Sequence, residues 1–522
     1  MAAERLVALQ RVARLIVPPG FEMAALFFAV KLALHVALAG RYGYNGDELY
    51  FMACARHLDF GYVDHPPIVP WIAAASTALF GESLFALRIP VALAGALTVA
   101  LVVVIARTLG GGRFAQAVAG LCVLIAPAFL RMGSILCIPV FENLILAGCA
   151  LALARPSHAQ QGTRWLVLGA LMGLGLMTKH SFLLWVIGLG FGLLISRQRR
   201  VLKTPSPWVA FTVAGLLFAP NLIWQAAHHW VSLDFLRGIH RDPLEGIPRS
   251  LFLLGQMLYM HPFTLPVWVA GLAYFLVGAG RSHRALSGFF LAGGAVLFAT
   301  HGKPYYLAPA YLPLFAGGGV ALERASARLL SSAKLRARAV IIAGLLTGGL
   351  ALAPFALPVL PLPIADRWIG RLVGFAGVPP EDLTLEFHQE YGWSELVATV
   401  ARVYRGLPRA DRARATLLTY TYAQAGAIDF FGRHQGLPPA RSGHMTYWLW
   451  GPGPGSLAVV IAAGTPVRKL EHLFSRVEQV ATSIQPLAWG ADSNLAVYVC
   501  RGAKRDLRDA WPEFKRYVFG AP

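Results

Sequence analysis

The chain has 522 residues, 56% of them hydrophobic and only 14% charged, with a formal net charge of +20. A soluble domain carries about 25% charged residues, so a soluble enzyme is the wrong starting class, and disorder is excluded because its signature is low hydrophobicity. The basic surplus points to a membrane protein with basic loops and away from nucleic acid, because no basic cluster is interleaved with exposed aromatics.

Arg5, Arg11 and Arg14 precede an apolar run that no small-residue cleavage site follows, so an uncleaved first membrane helix is expected. A bilayer core needs about 20 mostly apolar residues per helix. Eleven such segments lie near 21–40, 84–106, 114–131, 134–154, 163–178, 181–196, 207–223, 255–280, 285–301, 304–322 and 339–357. Positive charge is retained on the cytoplasmic side. With the N-terminus inside, the cytoplasmic pieces take Arg107, Arg113, Arg155, Arg164, the group Arg197 to Lys203, Arg281, Arg284 and the group Arg324 to Arg338. Acids sort the other way: Glu4 and Glu323 fall inside, whereas Asp47, Glu48, Asp59, Asp64, Glu82, Asp234, Asp242 and Glu245 fall outside.

Past the prolines Pro354, Pro358, Pro361 and Pro363 the composition becomes that of a soluble domain. Helical periodicity covers 393–404 and 467–480, and short β-like runs cover 415–421, 457–462 and 495–500. The division expected is a multi-span region, 1–363, and a small extracytoplasmic α/β domain, 364–522. No internal repeat is found, which counts against transporters built from duplicated halves. Cys54, Cys122, Cys137, Cys149 and Cys500 show neither a CxxC nor a Cys/His spacing, so no disulfide framework or zinc knuckle is indicated.

The first outer loop, 43–81, is where chemistry concentrates: Asp47 and Glu48 stand directly after the first span, among Tyr44, Tyr50, Phe51, Phe60 and Tyr62. Carboxylates at a membrane interface are costly unless they face water or a partner, so the pair reads either as a site or as a solvated loop charge. Segment 47–58 has the pattern of an interfacial helix. Trp224, His228, His229 and Trp230 form an aromatic and imidazole group, but adjacent histidines point to different helix faces and no carboxylate completes a ligand set. Interfacial anchoring is their ordinary explanation.

The stretch GDELYFMACARHLDFGYVDHPPIVPW, 46–71, resembles the start of bacterial family 39 glycosyltransferases of the GT-C superfamily, relatives of protein O-mannosyltransferases and the lipid A aminoarabinose transferase. GLMTKHSF around Lys179, PNLIWQ at 220–225 and GKPYYLAPAYLP at 302–313 follow in order, and YGWSELVATVARVY, YTYAQAGAIDFFGRHQGLP and SGHMTYWLWGPG look like the outer domain of a bacterial subgroup. The resemblance implies a mainly α, polytopic GT-C fold with about eleven transmembrane helices and a C-terminal α/β extracytoplasmic domain. It implies glycosyl transfer from a polyprenyl-phosphate sugar donor to a hydroxyl of a lipid, glycan or protein acceptor on the outer face of a bacterial inner membrane. Membrane lipid is a partner and nucleic acid is not; no cofactor is expected, and a divalent metal is left open.

By the same resemblance Asp47 is the general base, with Glu48 positioning or substituting for it. Lys179, Lys303, Tyr305, Tyr306, His65 and Asp64 bind the donor phosphate or sugar, with Arg88 and Arg237 as further outer-layer cations. One departure stands out: SILCIPVFENLIL at 134–146 lacks the second-loop Asp of many relatives, and Glu142 takes the acidic role, with Arg131 or Lys179 as its partner. Two other classes stay open. A lipid or polysaccharide transporter is disfavoured because the acids gather in outer loops and not at mid-membrane, and a non-catalytic GT-C-like assembly subunit has only the missing Asp in its favour.

Overall fold

The computed structural model describes residues 18–155, 161–241, 246–374, 383–453 and 458–518. Glu4, Arg5, Arg11, Arg14, Asp242, Glu245 and Leu457 lie outside the described residues. The longer elements of the first half are α1 (Glu22–Leu38), α2 (Gly46–Ala55), α3 (Ile68–Phe80), α4 (Leu84–Thr108), α5 (Arg113–Ile125), α6 (Pro127–Met132), α7 (Ile138–Ala154) and α8 (Gln161–Thr178). There follow α9 (Leu183–Ile195), α10 (Pro205–Ala227), α11 (Val231–Arg241), α12 (Arg249–Met260), α13 (Leu265–Leu276), α14 (Ser287–Ala299), α15 (Ala308–Ala327) and α16 (Ser331–Ala356).

Each expected span has a helical counterpart, but not each is one straight rod. Among the described residues α4, α10 and α16 are long and apolar enough to cross a membrane, and the number rises to five if each of two bent pairs is one span. The expected span 114–131 breaks between α5 and α6, where Ala126 is extended before Pro127. Proline lacks an N–H and biases its predecessor away from helix, which explains the break. The span 255–280 breaks at His261, which has φ 53°. α3, a largely apolar helix of 13 residues within the first outer loop, was not among the expected helices.

By compactness the chain forms two units, one of Met1–Leu38, Arg88–Pro220 and Gly246–Leu357, the other of Ala39–Leu87, Asn221–Glu245 and Pro358–Pro522. In the first unit α15 is buried from Ala308 to Val320. It is approached so closely that a β-carbon on Gly318 would collide with the Val267 carbonyl, one on Gly271 with the Leu314 carbonyl, and one on Gly319 with the Ala115 carbonyl. α9 and α14 meet in the same way through Gly188, Gly192 and Gly288. Small residues let helix backbones approach where lipid offers no hydrophobic drive. Lys31 and His35, buried on α1, serve the end of α6: Lys31 Nζ donates to the Phe129 carbonyl (3.0 Å) and His35 Nε2 lies 3.0 Å from the Leu130 carbonyl. These carbonyls belong to a helix C-terminus and have no intrahelical donor.

The second unit adds α17 (Leu362–Val373), α18 (Trp393–Gly406), α19 (Tyr422–Ala427) and α20 (Val467–Leu473) to a five-stranded mixed sheet. Its strands are β1 (Ala415–Thr419), β2 (Ala440–Ser442), β3 (Val459–Ala463), β4 (Phe474–Ile484) and β5 (Asn494–Ala503), in the order β2-β1-β3-β5-β4. β1 runs parallel to β2 and β3, while β5 is antiparallel to β3 and β4. α18 packs on the sheet through Leu396, Val397, Val400 and Ala401, an amphipathic spacing. Leu418, Val460, Ala462, Cys500, Trp511 and Phe514 form a core with α20.

The expected helix over 467–480 is corrected by this sheet: helix ends at Leu473 and strand runs from Phe474. Val467, Leu470, Leu473 and Val477 mimic a helical period, but pairing from Phe474 with Ala503 to Ile484 with Asn494 satisfies the backbone as strand. Tertiary pairing overrides a local pattern here. None of the five cysteines is in a disulfide.

Candidate active site

The second unit holds the first-loop residues. α2 opens with a capping box: Asn45 Oδ1 accepts from the Asp47 N–H (3.0 Å), and Glu48 Oε2 accepts from the Asn45 N–H (2.9 Å). This closes orphan donors of the first turn and explains why a carboxylate as buried as Glu48 is tolerated beside the positive end of a helix. Asp47, one residue earlier, is exposed. Its Oδ1 accepts a hydrogen bond from Tyr422 Oη at 2.6 Å. Of the adjacent acids, then, Glu48 is spent on the helix and Asp47 faces outward under the hold of a tyrosine.

Tyr422 is set by α19, which lies against α2 where Gly426 meets the Leu49 backbone and Gly46 meets Ala423. Burial, and next the charge of Asp47, push the Tyr422 phenol far above its ordinary range, so it is a donor at any working pH. Its ring packs on Tyr50 (4.5 Å between centroids) and on His444 (4.9 Å). Tyr50 Oη donates to Asp64 Oδ1 (2.8 Å) and lies 2.6 Å from Thr446 Oγ1. Burial and the Asp64 charge raise the Tyr50 phenol in the same way. His65 is buried against Tyr50, Phe51 and Tyr62, with Nδ1 2.9 Å from the Pro66 carbonyl and Nε2 3.9 Å from Asp64 Oδ1. Asp47, Asp64 and His65 thus join one aromatic network, with His65 in its interior.

The first unit holds the other set. Glu142 sits in the second turn of α7, buried, with Oε1 accepting from Trp185 Nε1 (2.6 Å) and Oε2 from Lys179 Nζ (3.3 Å). Of the two expected partners Lys179 is the one that forms the ion pair, its side chain 16% exposed against 3% for the carboxylate. The same ammonium stands 3.8 Å from the centre of the Tyr306 ring, a cation–π contact. Tyr305 packs edge-on to Tyr306 at 4.8 Å. Lys303 heads the short turn Pro304–Leu307, which Gln256 of α12 holds by donating to the Pro304 carbonyl (3.1 Å). Gln256 in turn accepts from Tyr311 Oη (3.0 Å), so the motif GKPYYLAPAY is fastened at both ends.

The candidates therefore divide: Asp47, Glu48, Asp64 and His65 in the second unit, Glu142, Lys179, Lys303, Tyr305 and Tyr306 in the first. Arg88 is buried, and Arg237 pairs on the surface with Asp234 at 3.5 Å. Trp224 stacks on His228 (4.0 Å), Asn221 Nδ2 donates to the Phe60 carbonyl (2.8 Å) and Gln225 Nε2 to Ser232 Oγ (2.7 Å), so PNLIWQ braces the first outer loop. Among the described residues no group of three or more His, Cys, Asp or Glu is placed to hold a metal. Sequence reasoning missed Tyr422 and Trp185 as partners. Tyr422 had a signal, since it lies in the quoted motif YTYAQAGAIDFF; Trp185 had none beyond an apolar span.

Residues 64–224 match the family described as dolichyl-phosphate-mannose-protein mannosyltransferase. Two curated relatives are undecaprenyl phosphate-alpha-4-amino-4-deoxy-L-arabinose arabinosyl transferases. The one from Pseudomonas fluorescens is 29% identical over 49% of this chain and 49% of its own length; that from Pseudomonas aeruginosa is 30% identical over 57% and 56%. The chain spans about half the length of the curated relatives it matches. The crystal structure of ArnT from Cupriavidus metallidurans bound to undecaprenyl phosphate superposes with a TM-score of 0.62 at 15% identity, covering 92% of this chain and 98% of that one. The fold is accordingly the GT-C type, mainly α with a C-terminal α/β region. Over residues 64–224 the chain is similar to that mannosyltransferase family, and over about half its length to the two arabinosyl transferases.

Proposed function

We propose that the protein transfers a sugar from a polyprenyl-phosphate donor to an acceptor hydroxyl on the extracytoplasmic face of a bacterial inner membrane, with the N-terminus cytoplasmic. The acceptor oxygen attacks the anomeric carbon, the bond from that carbon to the phosphate oxygen breaks, and polyprenyl phosphate leaves with the bonding pair. The hydroxyl proton passes to Asp47, for which an acceptor within about 3 Å is required. The observation that carries this reading is the exposed Asp47 carboxylate held by buried Tyr422 on a capped helix start.

The leaving phosphate is a weak base, so it needs positive charge more than a proton. Lys179, fixed by Glu142 and Tyr306, is assigned that work, with Lys303 and the Tyr305 and Tyr306 hydroxyls as donor contacts. Asp64 and His65 support the network that holds Tyr50 and Tyr422. The relatives' names, which pair undecaprenyl phosphate with an amino sugar, support the donor class.

The test is transfer from a radiolabelled polyprenyl-phosphate sugar in sealed membrane vesicles of both orientations. Transfer should occur where the outer face meets donor and acceptor, and Asp47→Asn should lower it by about 10²–10⁴-fold. Glu48→Gln should act mainly through stability. Undiminished transfer in both variants, or transfer confined to the cytoplasmic face, overturns the reading.

A further inference from the structure

A cavity of about 330 Å³ lies wholly within the second unit, lined among others by Arg56, His57, Asp429, Arg433, Arg441 and Trp450. Three guanidinium groups border it. Arg56 donates to the Asp429 carbonyl (3.0 Å) and to Glu82 (3.2 Å), and Arg433 reaches the same Glu82 carboxylate. Arg441, on β2, lies over Gly453, where a β-carbon would meet its guanidinium. The other acid, Asp429, is fully engaged: Oδ1 accepts from the Ala440 N–H (2.8 Å) and Oδ2 from Tyr447 Oη (2.7 Å). Burial pushes the Asp429 carboxyl up, against the opposing pull of Arg56 and Arg441. Three guanidinium groups thus meet two carboxylates, Glu82 and Asp429, and the cleft keeps a positive surplus.

One wall is aromatic and flat. His57 stacks on Trp450 at 4.3 Å and 25°, and Tyr447 meets the same indole edge-on at 4.7 Å. An arginine fork matches the paired oxygens of a carboxylate or phosphate, and a sugar's C–H face rests on an electron-rich ring. The two recognition elements side by side fit one class of ligand.

We propose that this cleft binds an anionic sugar, carrying a carboxylate or a phosphate, that belongs to the acceptor. Only the word acceptor rests on the transfer reading; the binding chemistry stands on Arg56, Arg433, Arg441 and the Trp450 wall.

The full-length protein in detergent is titrated with glucuronate, glucose 6-phosphate, glucose and inorganic phosphate by calorimetry. At least one anionic sugar should bind and glucose should not, and whichever anion binds more tightly identifies the source of the charge. Arg441→Gln should weaken that binding at least tenfold, with Arg441→Lys between the two. Trp450→Ala should weaken the anionic sugar and leave inorganic phosphate unchanged. Arg433→Gln, on an exposed turn, decides the matter if Arg441→Gln fails to elute as a monodisperse species. Binding of glucose equal to that of the anions, binding undiminished in the arginine variants, or no binding of either anionic sugar overturns the proposal. Asp47→Asn should bind the sugar as the unaltered protein does. Transfer without anionic-sugar binding sinks the cleft alone, whereas binding in a protein that transfers nothing sinks the transfer reading and leaves the cleft standing.

Discussion

At the scale of residues, adjacent acids do different work because they occupy successive positions of one helical turn. Glu48 points back to close the cap, and Asp47 points out to Tyr422. Tyr422→Phe keeps the ring packing and removes the donor. Transfer should fall about 10–100-fold in kcat, the worth of a hydrogen bond to a charged group, with KM little changed. The sign of the pH effect follows: a carboxylate that loses a donor holds its proton more tightly, so the acid limb of the rate profile moves toward neutral pH. An unshifted limb would make Tyr422 a packing residue only. Glu142→Gln leaves the Lys179 ammonium without its counter-charge. Removing one partner of a buried pair costs about 3 kcal/mol, readable as a lowered melting temperature. Adding Lys179→Met should restore much of that stability without restoring transfer, which separates structural from chemical roles.

At the scale of elements, the start of α2 is the part on which Asp47 depends. Asn45→Ala removes the acceptor for the Asp47 N–H and should cost about 1 kcal/mol, measured by denaturant titration. Because Asp47 is itself in that first turn, transfer should fall as well, while a cap replaced by Asn45→Ser should retain both. The helices were legible because twenty apolar residues bounded by arginines have few other folds open to them. The breaks at Ala126 and His261 were less so. Pro127 signalled the first and Pro262 follows His261 in the same way, but nothing local marks the positive φ that His261 takes. β4 was misread because Val467 to Val480 satisfies a helical period that only its pairing with β5 overrules.

At the scale of the whole molecule, the second unit is discontinuous, and its C-terminal part leans on the first outer loop through Gly426, Leu49, Gly46 and Ala423. Residues 364–522 expressed alone should therefore expose the face of α19 that α2 covers. The fragment is expected to bind a hydrophobic dye and to melt well below the same domain in the full chain. A fragment as stable as the full chain, with no dye binding, would show that the outer domain needs no loop.

The sequence by itself determined the class: the apolar segments, the grouping of arginines between them and the family-like loop motif are all local properties of the chain. It also pointed to Asp47, Lys179 and Glu142, because a charge beside an apolar run is conspicuous wherever it falls. Only the tertiary structure decided their partners. Tyr422 is 375 residues from Asp47 and Trp185 is 43 from Glu142. Contacts across such separations are set by which faces pack together, and a one-dimensional pattern records the faces without recording the pairing.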